Sequence, residues 1–178
     1  MKIKAFHIYL VTIFISLSVI ATSIYYLLDG FDEIVVYELE GENRIVVGKH
    51  FIGKSTDRTI NKYFTESRKL ILDSAIIGTL TIVVNSNDSI QSNEVDYFVG
   101  IIIAGEMAEV PLGYQVREYQ CSKKLAVFLS MHPWVRPSPR KINELFDEKA
   151  VETKIVLTNY SFELHYHDDS MSVEAWIY

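Results

Sequence analysis

The 178-residue chain contains one cysteine, Cys121, so no disulfide can form within it. It also lacks a glycine-rich phosphate loop and a strained G-x-S-x-G turn, which removes two common ways of building a nucleotide site or a serine nucleophile. Cys121 stands in a hairpin-like turn beside Lys123 and Lys124, which could lower its pKa, but no histidine is near it in sequence and a turn cysteine is usually inert. Basic residues are the scarcer sign, 17 Lys and Arg against 23 Asp and Glu. Nucleic acid is therefore not an expected partner, because phosphate binding needs a basic stripe. The same acidity argues against electrostatic docking on anionic head groups.

What the chain does have is a long uncharged run. From Ile8 to Leu28 no side chain is charged, with Lys2 and Lys4 before the run and Asp29, Asp32 and Glu33 after it. Twenty-one helical residues reach about 30 Å, the thickness of a bilayer's hydrocarbon core. Tyr25 and Tyr26 suit the interfacial belt, and the N-terminal lysines place that end in the cytoplasm. The expectation is an uncleaved single-pass anchor, residues 1–30, with residues 31–178 outside the cytoplasm. The rival is a secretory signal cleaved near Val19-Ile20-Ala21. Such signals usually have a shorter apolar core, and Ile24 to Leu28 would make an odd mature start. Beyond Leu28, 15 basic residues face all 23 acidic ones, a formal charge of −8. About 150 residues suffice for one domain with a sizeable core. Two glycosylation-type triplets, Asn87-Asp88-Ser89 and Asn159-Tyr160-Ser161, carry no weight in a Lys/Ile/Asn-rich sequence of bacterial style.

The periodicity of that domain is doubled. Ile34–Leu39 and Ile45–Ile52 read as extended, Asp57–Ile77 as a helix capped by Ser55 or Thr56 and stopped by Gly78. Thr79–Val84 and Asp96–Ala104 read as strands. Tyr114–Tyr119 and Leu125–Met131 are again extended. A second helix starts at Ser138-Pro139 with an Ile142, Leu145, Phe146, Ala150 stripe, and Lys154–Tyr166 and Met171–Ile177 close the chain. The fold class is α+β: two pseudo-symmetric β-α-β-β repeats, about 34–105 and 108–178, forming an antiparallel sheet with two helices on one face.

Four stretches resemble the GyrI-like (gyrase-inhibitor-like) effector-binding domain. They are Asp96-Tyr97-Phe98-Val99-Gly100-Ile101; Val110-Pro111-Leu112-Gly113-Tyr114 followed by Lys124-Leu125-Ala126-Val127-Phe128; Phe162-Glu163 with Asp168 five residues on; and the closing Met171–Ile177. The sequence departs from the family pattern at His165, where a tyrosine is usual, and at Met131-His132-Pro133-Trp134-Val135-Arg136-Pro137, which replaces a glycine-rich entry to the second helix. No helix-turn-helix precedes the domain.

The resemblance implies a groove between the repeats that holds a small apolar or cationic molecule, with Glu163 on its floor and Trp134 on its wall. Tyr97, Phe128, Tyr114 and His165 are the other candidate ligand contacts. Strand alternation puts Glu163, His165 and His167 opposite Phe162, Leu164 and Tyr166. Three ligands at i, i+2, i+4 spread over about 13 Å, so no metal site is assigned; no cofactor is implied either. Glu174, in the closing strand, is expected to face solvent. Two alternatives stand beside the binding module: a hydrolase using Glu163 as acid/base with Tyr97 or Tyr166, and a pocketless envelope domain that meets a protein partner.

Overall fold

A computed structural model describes residues 2–86, 94–105 and 109–178, the side chains of residues 2–6 apart; the triplet Asn87-Asp88-Ser89 lies outside the described residues. Eight strands form one antiparallel sheet: β1 Val36–Glu40, β2 Asn43–Lys54, β3 Gly78–Asn85, β4 Glu94–Ile103, β5 Gln115–Gln120, β6 Lys123–Leu129, β7 Leu157–His165 and β8 Met171–Ile177. Helix α2 (Arg58–Leu72) joins β2 to β3, and helix α3 (Pro139–Thr153) precedes β7. The order β1-β6-β8-β7-β3-β4-β2-β5 reads the same backwards when the two repeats exchange numbers. The expected α+β fold of two repeats is the observed one, and β3 and β7 meet at its centre.

The repeats are joined in a way that the turn chemistry concealed. Gly41-Glu42 links β1 to β2 and Cys121-Ser122 links β5 to β6, yet neither pair is a hairpin: β1 pairs with β6, and β2 with β5. The hairpin-like turn expected at Cys121 is thus a crossover. The two links pass each other, with the Gly41 N–H donating to the Ser122 carbonyl at 2.8 Å. A Cβ on Gly41 would stand 2.1 Å from the Cys121 oxygen, so only glycine fits there.

Helix α2 buries Leu70 and Ile71 against Val47, Ile76 and Ile101. Its cap is Asp57, whose carboxylate accepts from the Thr59 N–H at 2.7 Å, not Ser55 or Thr56. It ends at Asp73, five residues before Gly78, because Ser74 turns to φ +56° and Ile76 drops into the core beside Leu70. Helix α3 begins as the sequence predicts: the Ser138 hydroxyl accepts from the Lys141 N–H, Pro139 follows, and Ile142, Phe146 and Ala150 are buried. Ser138→Ala should therefore lower stability by about 1 kcal/mol in a urea titration; no loss would mean that the cap is idle.

The face away from the helices is not solvated. Arg44 on β2 reaches Glu174 on β8 at 2.7 Å, though a flat sheet would separate those strands by about 19 Å. The sheet therefore coils, and its inner face closes on Val46, Val83, Phe98, Phe162, Leu164 and Trp176. Phe162 and Trp176 stack at 4.5 Å, and Tyr119 of β5 meets both edge-on.

These strands with α2 and α3, Ile34–Leu129 and Ser138–Tyr178, form one compact unit. The segment up to Glu33 forms another together with Ser130–Pro137. In it, helix α1 (Lys2–Leu27) holds a stretch, His7–Leu27, long and apolar enough to cross a membrane. Its hydroxyls turn inward on the helix: Thr12 donates to the Ile8 carbonyl at 2.9 Å and Ser23 to the Val19 carbonyl at 2.8 Å.

Candidate functional site

Glu163 lies in the C-terminal half of β7, opposite Ile82 of β3 and Val173 of β8. Residues that face each other across antiparallel strands share a face, so its floor is apolar on both sides. The strand is fixed beneath it by the buried Thr81, whose hydroxyl donates to the Glu163 carbonyl at 3.0 Å. Burial alone pushes the Glu163 carboxyl above its usual range, and among the described residues it enters no ion pair. That combination is unlike the other glutamates of the sheet, which sit against lysine or arginine or in water.

Two of the other sequence-predicted residues join it. Tyr97 is half-buried on β4 beside Val84, one row from Glu163; burial raises its phenol, and the Glu163 charge adds to the effect. The phenol therefore stays protonated as a hydrogen-bond donor. His165 is two residues along β7 on the same face, its imidazole edge-to-face with Phe64 of α2 at 4.9 Å. Glu163, Tyr97 and His165 thus bring a carboxylate, a phenol and an imidazole to one apolar face beside α2.

Two expected contacts are not brought to Glu163, and a third lies in the other unit. Phe128 aligns with Ser172 and, through it, with Leu164, which puts it on the opposite face; it is 52% exposed and touches Tyr37 instead. Tyr114 precedes β5, the fourth strand from β7, and packs near Val47 of β2, with the Lys49 Nζ 4.6 Å from its ring centre. Trp134 belongs to the unit of the N-terminal helix, in a 3-10 turn over Pro133–Val135, and is 85% exposed.

Glu174 overturns its expectation. Far from facing water it is 3% exposed, held by Arg44 at 2.7 and 3.1 Å, by Lys124 at 3.2 Å and by the Trp176 Nε1–H at 3.2 Å. Glu42 completes the group, pairing with both Arg44 and Lys124. The Arg44 guanidinium also lies 5.2 Å from the Phe162 ring centre and 5.4 Å from that of Trp176. Sequence reading missed Arg44 and Lys124; the available signal was that each stands two residues before an apolar residue of its strand, Val46 and Ala126, and so shares that residue's face. Burial outweighs the nearby cations and pushes the Cys121 thiol up, so it is not an activated nucleophile. It lines a cleft of about 500 Å³ at the crossover, with Asn43, Thr158, Tyr160 and Tyr178.

No family model and no curated protein matches the sequence. Solved structures do. The crystal structure of the EcmrR C-terminal domain aligns at 13% identity and TM-score 0.52, covering 82% of this chain and 97% of that one. EcmrR in the cryo-EM structure of its DNA complex aligns at 12% identity and TM-score 0.55 over 91% of this chain, which spans 64% of that chain's length. SAV2435 bound to tetraphenylphosphonium aligns at 11% identity and TM-score 0.49, over 82% of this chain and 93% of that one. At such identities the likeness defines a class of fold, the GyrI-like effector-binding fold that the sequence motifs resemble.

Proposed function

We propose that this chain is a membrane-anchored small-molecule-binding domain of the GyrI-like kind, whose ligand is an apolar cation seated over Glu163. Residues 8–28 are its span, and the domain lies outside the cytoplasm. The observation that carries the reading is Glu163: a half-buried carboxylate on an apolar floor at the junction of the repeats, without a counter-charge among the described residues. Such a group costs stability unless a ligand compensates it, and a delocalised cation does so without demanding water. Tyr97 and His165 supply the flanking polar and aromatic contacts. Tetraphenylphosphonium is a suitable probe because its charge is spread over apolar rings. Isothermal titration of the detergent-solubilised chain should show saturable binding with a negative heat-capacity change; a titration without saturation would remove the binding module.

The reading carries a pH signature. With its carboxyl raised, the folded protein keeps a proton that the unfolded chain has released between the ordinary carboxyl value and the raised one. The stability from this group is complete below the ordinary value and falls as pH rises through that window. A bound cation favours the ionised form, so affinity for tetraphenylphosphonium should climb with pH through the same window and then level off. A flat profile would mean that the cation does not meet Glu163. The electrostatic coupling of Tyr97 to Glu163 favours hydrolysis as the second reading. It predicts turnover of an electrophilic ring substrate, lost in Tyr97→Phe, and no turnover removes it.

A further inference from the structure

We infer that the loop Ser130–Pro137 is a second membrane contact, with Trp134 inserted into the interfacial zone of the bilayer that α1 spans. The inference rests on the anchor reading given above. A helix end leaves its last carbonyls without intrahelical partners. Here the chain turns back on itself after the span: Asp29 takes φ +59°, and the Asp29 and Gly30 N–H groups bond to Tyr26 and Tyr25. A Cβ on Gly30 would stand 2.5 Å from the Tyr25 ring, which also meets Phe31 edge-on at 4.8 Å. The Leu28 carbonyl accepts from outside the segment, from the His132 N–H at 3.2 Å. Leu28 is the last residue of the uncharged run, so that bond fixes His132 at the level where hydrocarbon gives way to head groups.

Trp134 is two residues further on, within about 7 Å of His132 along the chain. The interfacial layer is itself about 5–7 Å thick on each side of the hydrocarbon core. The loop is stiff. His132 accepts from the Trp134 N–H through Nδ1 at 3.3 Å, the two rings lie edge to face at 5.3 Å, and Arg136 donates to the Met131 carbonyl at 3.1 Å. A rigid turn that leaves an indole 85% exposed makes little sense in water. At the mouth of a membrane span it has an occupant: indole is the side chain that most favours this zone, apolar in body with one N–H to bond. Tyr26 and Phe31, both exposed, stand in the same unit and extend the belt. The mode of contact is insertion of an aromatic ring and not charge, which agrees with the acidity of the domain.

The test uses the full chain in phosphatidylcholine vesicles whose lipids carry bromine either near the head group or deep in the acyl chain. The difference in fluorescence between the wild type and Trp134→Ala isolates Trp134, since Trp176, buried in the folded domain, is common to both proteins. That difference signal should be blue-shifted, quenched by the shallow label and protected from aqueous iodide. Retention on the vesicles after an alkaline carbonate wash is measured on the same samples. If the chain is retained but the difference signal is open to iodide and indifferent to bromine, the loop contact falls and the anchor stands. If the chain washes off, both readings fall together.

Discussion

Glu174→Ala should destabilise the domain by about 3–5 kcal/mol, the cost of leaving buried cations without their partner. Glu174 accepts a hydrogen bond from Arg44 Nη2, lies 2.7 Å from its Nη1 in an ion pair, and accepts further bonds from Lys124 and the Trp176 indole, all under the coiled inner face. With it gone, only the half-exposed Glu42 remains to balance two buried positive charges. A shift of the urea midpoint measures the loss; a change below about 1 kcal/mol, the size of an ordinary surface effect, would mean that water already reaches the cluster. The wholly apolar replacement, Arg44→Met with Lys124→Met and Glu174→Leu, separates the ion pairs from the packing. Removing all three charges at similar volume should cost far less than removing one, and it can even stabilise.

That cluster also marks where the sequence stopped being legible. Alternation in Phe162-Glu163-Leu164-His165 assigned the two faces of β7 correctly, and Ser138-Pro139 announced α3, because both are local signals: a period of two and a cap with its proline. Glu174 was misplaced because alternation says only that a residue faces away from its neighbours, not what covers that side. In a flat half-buried sheet the far side is water. Here the crossing of Gly41-Glu42 with Cys121-Ser122 ties the two edges together at one end and coils that side into a core. Two residues between extended runs normally signal a hairpin, and nothing local distinguishes a hairpin from an exchange of strands between repeats. Phe128 was misassigned for a related reason: the motif identified its strand, but register against β8 sets its face. His165 was placed with Glu163 because it shares β7, and Tyr97 because its strand, β4, lies next beyond β3 in the same sheet and shows the same face.

Glu163→Gln should weaken binding of tetraphenylphosphonium by about ten- to a hundredfold, or roughly 1.5–3 kcal/mol, the range for a charge-assisted contact. The amide keeps the shape of the carboxyl, so an apolar neutral ligand of similar size should bind the variant as it binds the wild type. Stability should hold or rise at neutral pH, because a desolvated charge with no partner among the described residues has been removed. The pH dependence of affinity should vanish with it, which a merely structural role would not produce. Glu174 cannot serve as the reference acid, since its replacement should destabilise the domain; Glu118, which pairs with Ile45 across β2 and β5, is exposed at the sheet edge and takes that place. Equal weakening in Glu118→Gln and Glu163→Gln would show that the acidic surface as a whole attracts the cation. Weakening confined to Glu163→Gln locates the charge that the ligand meets on the central strand pair, one row from the Tyr97 phenol and two residues from His165.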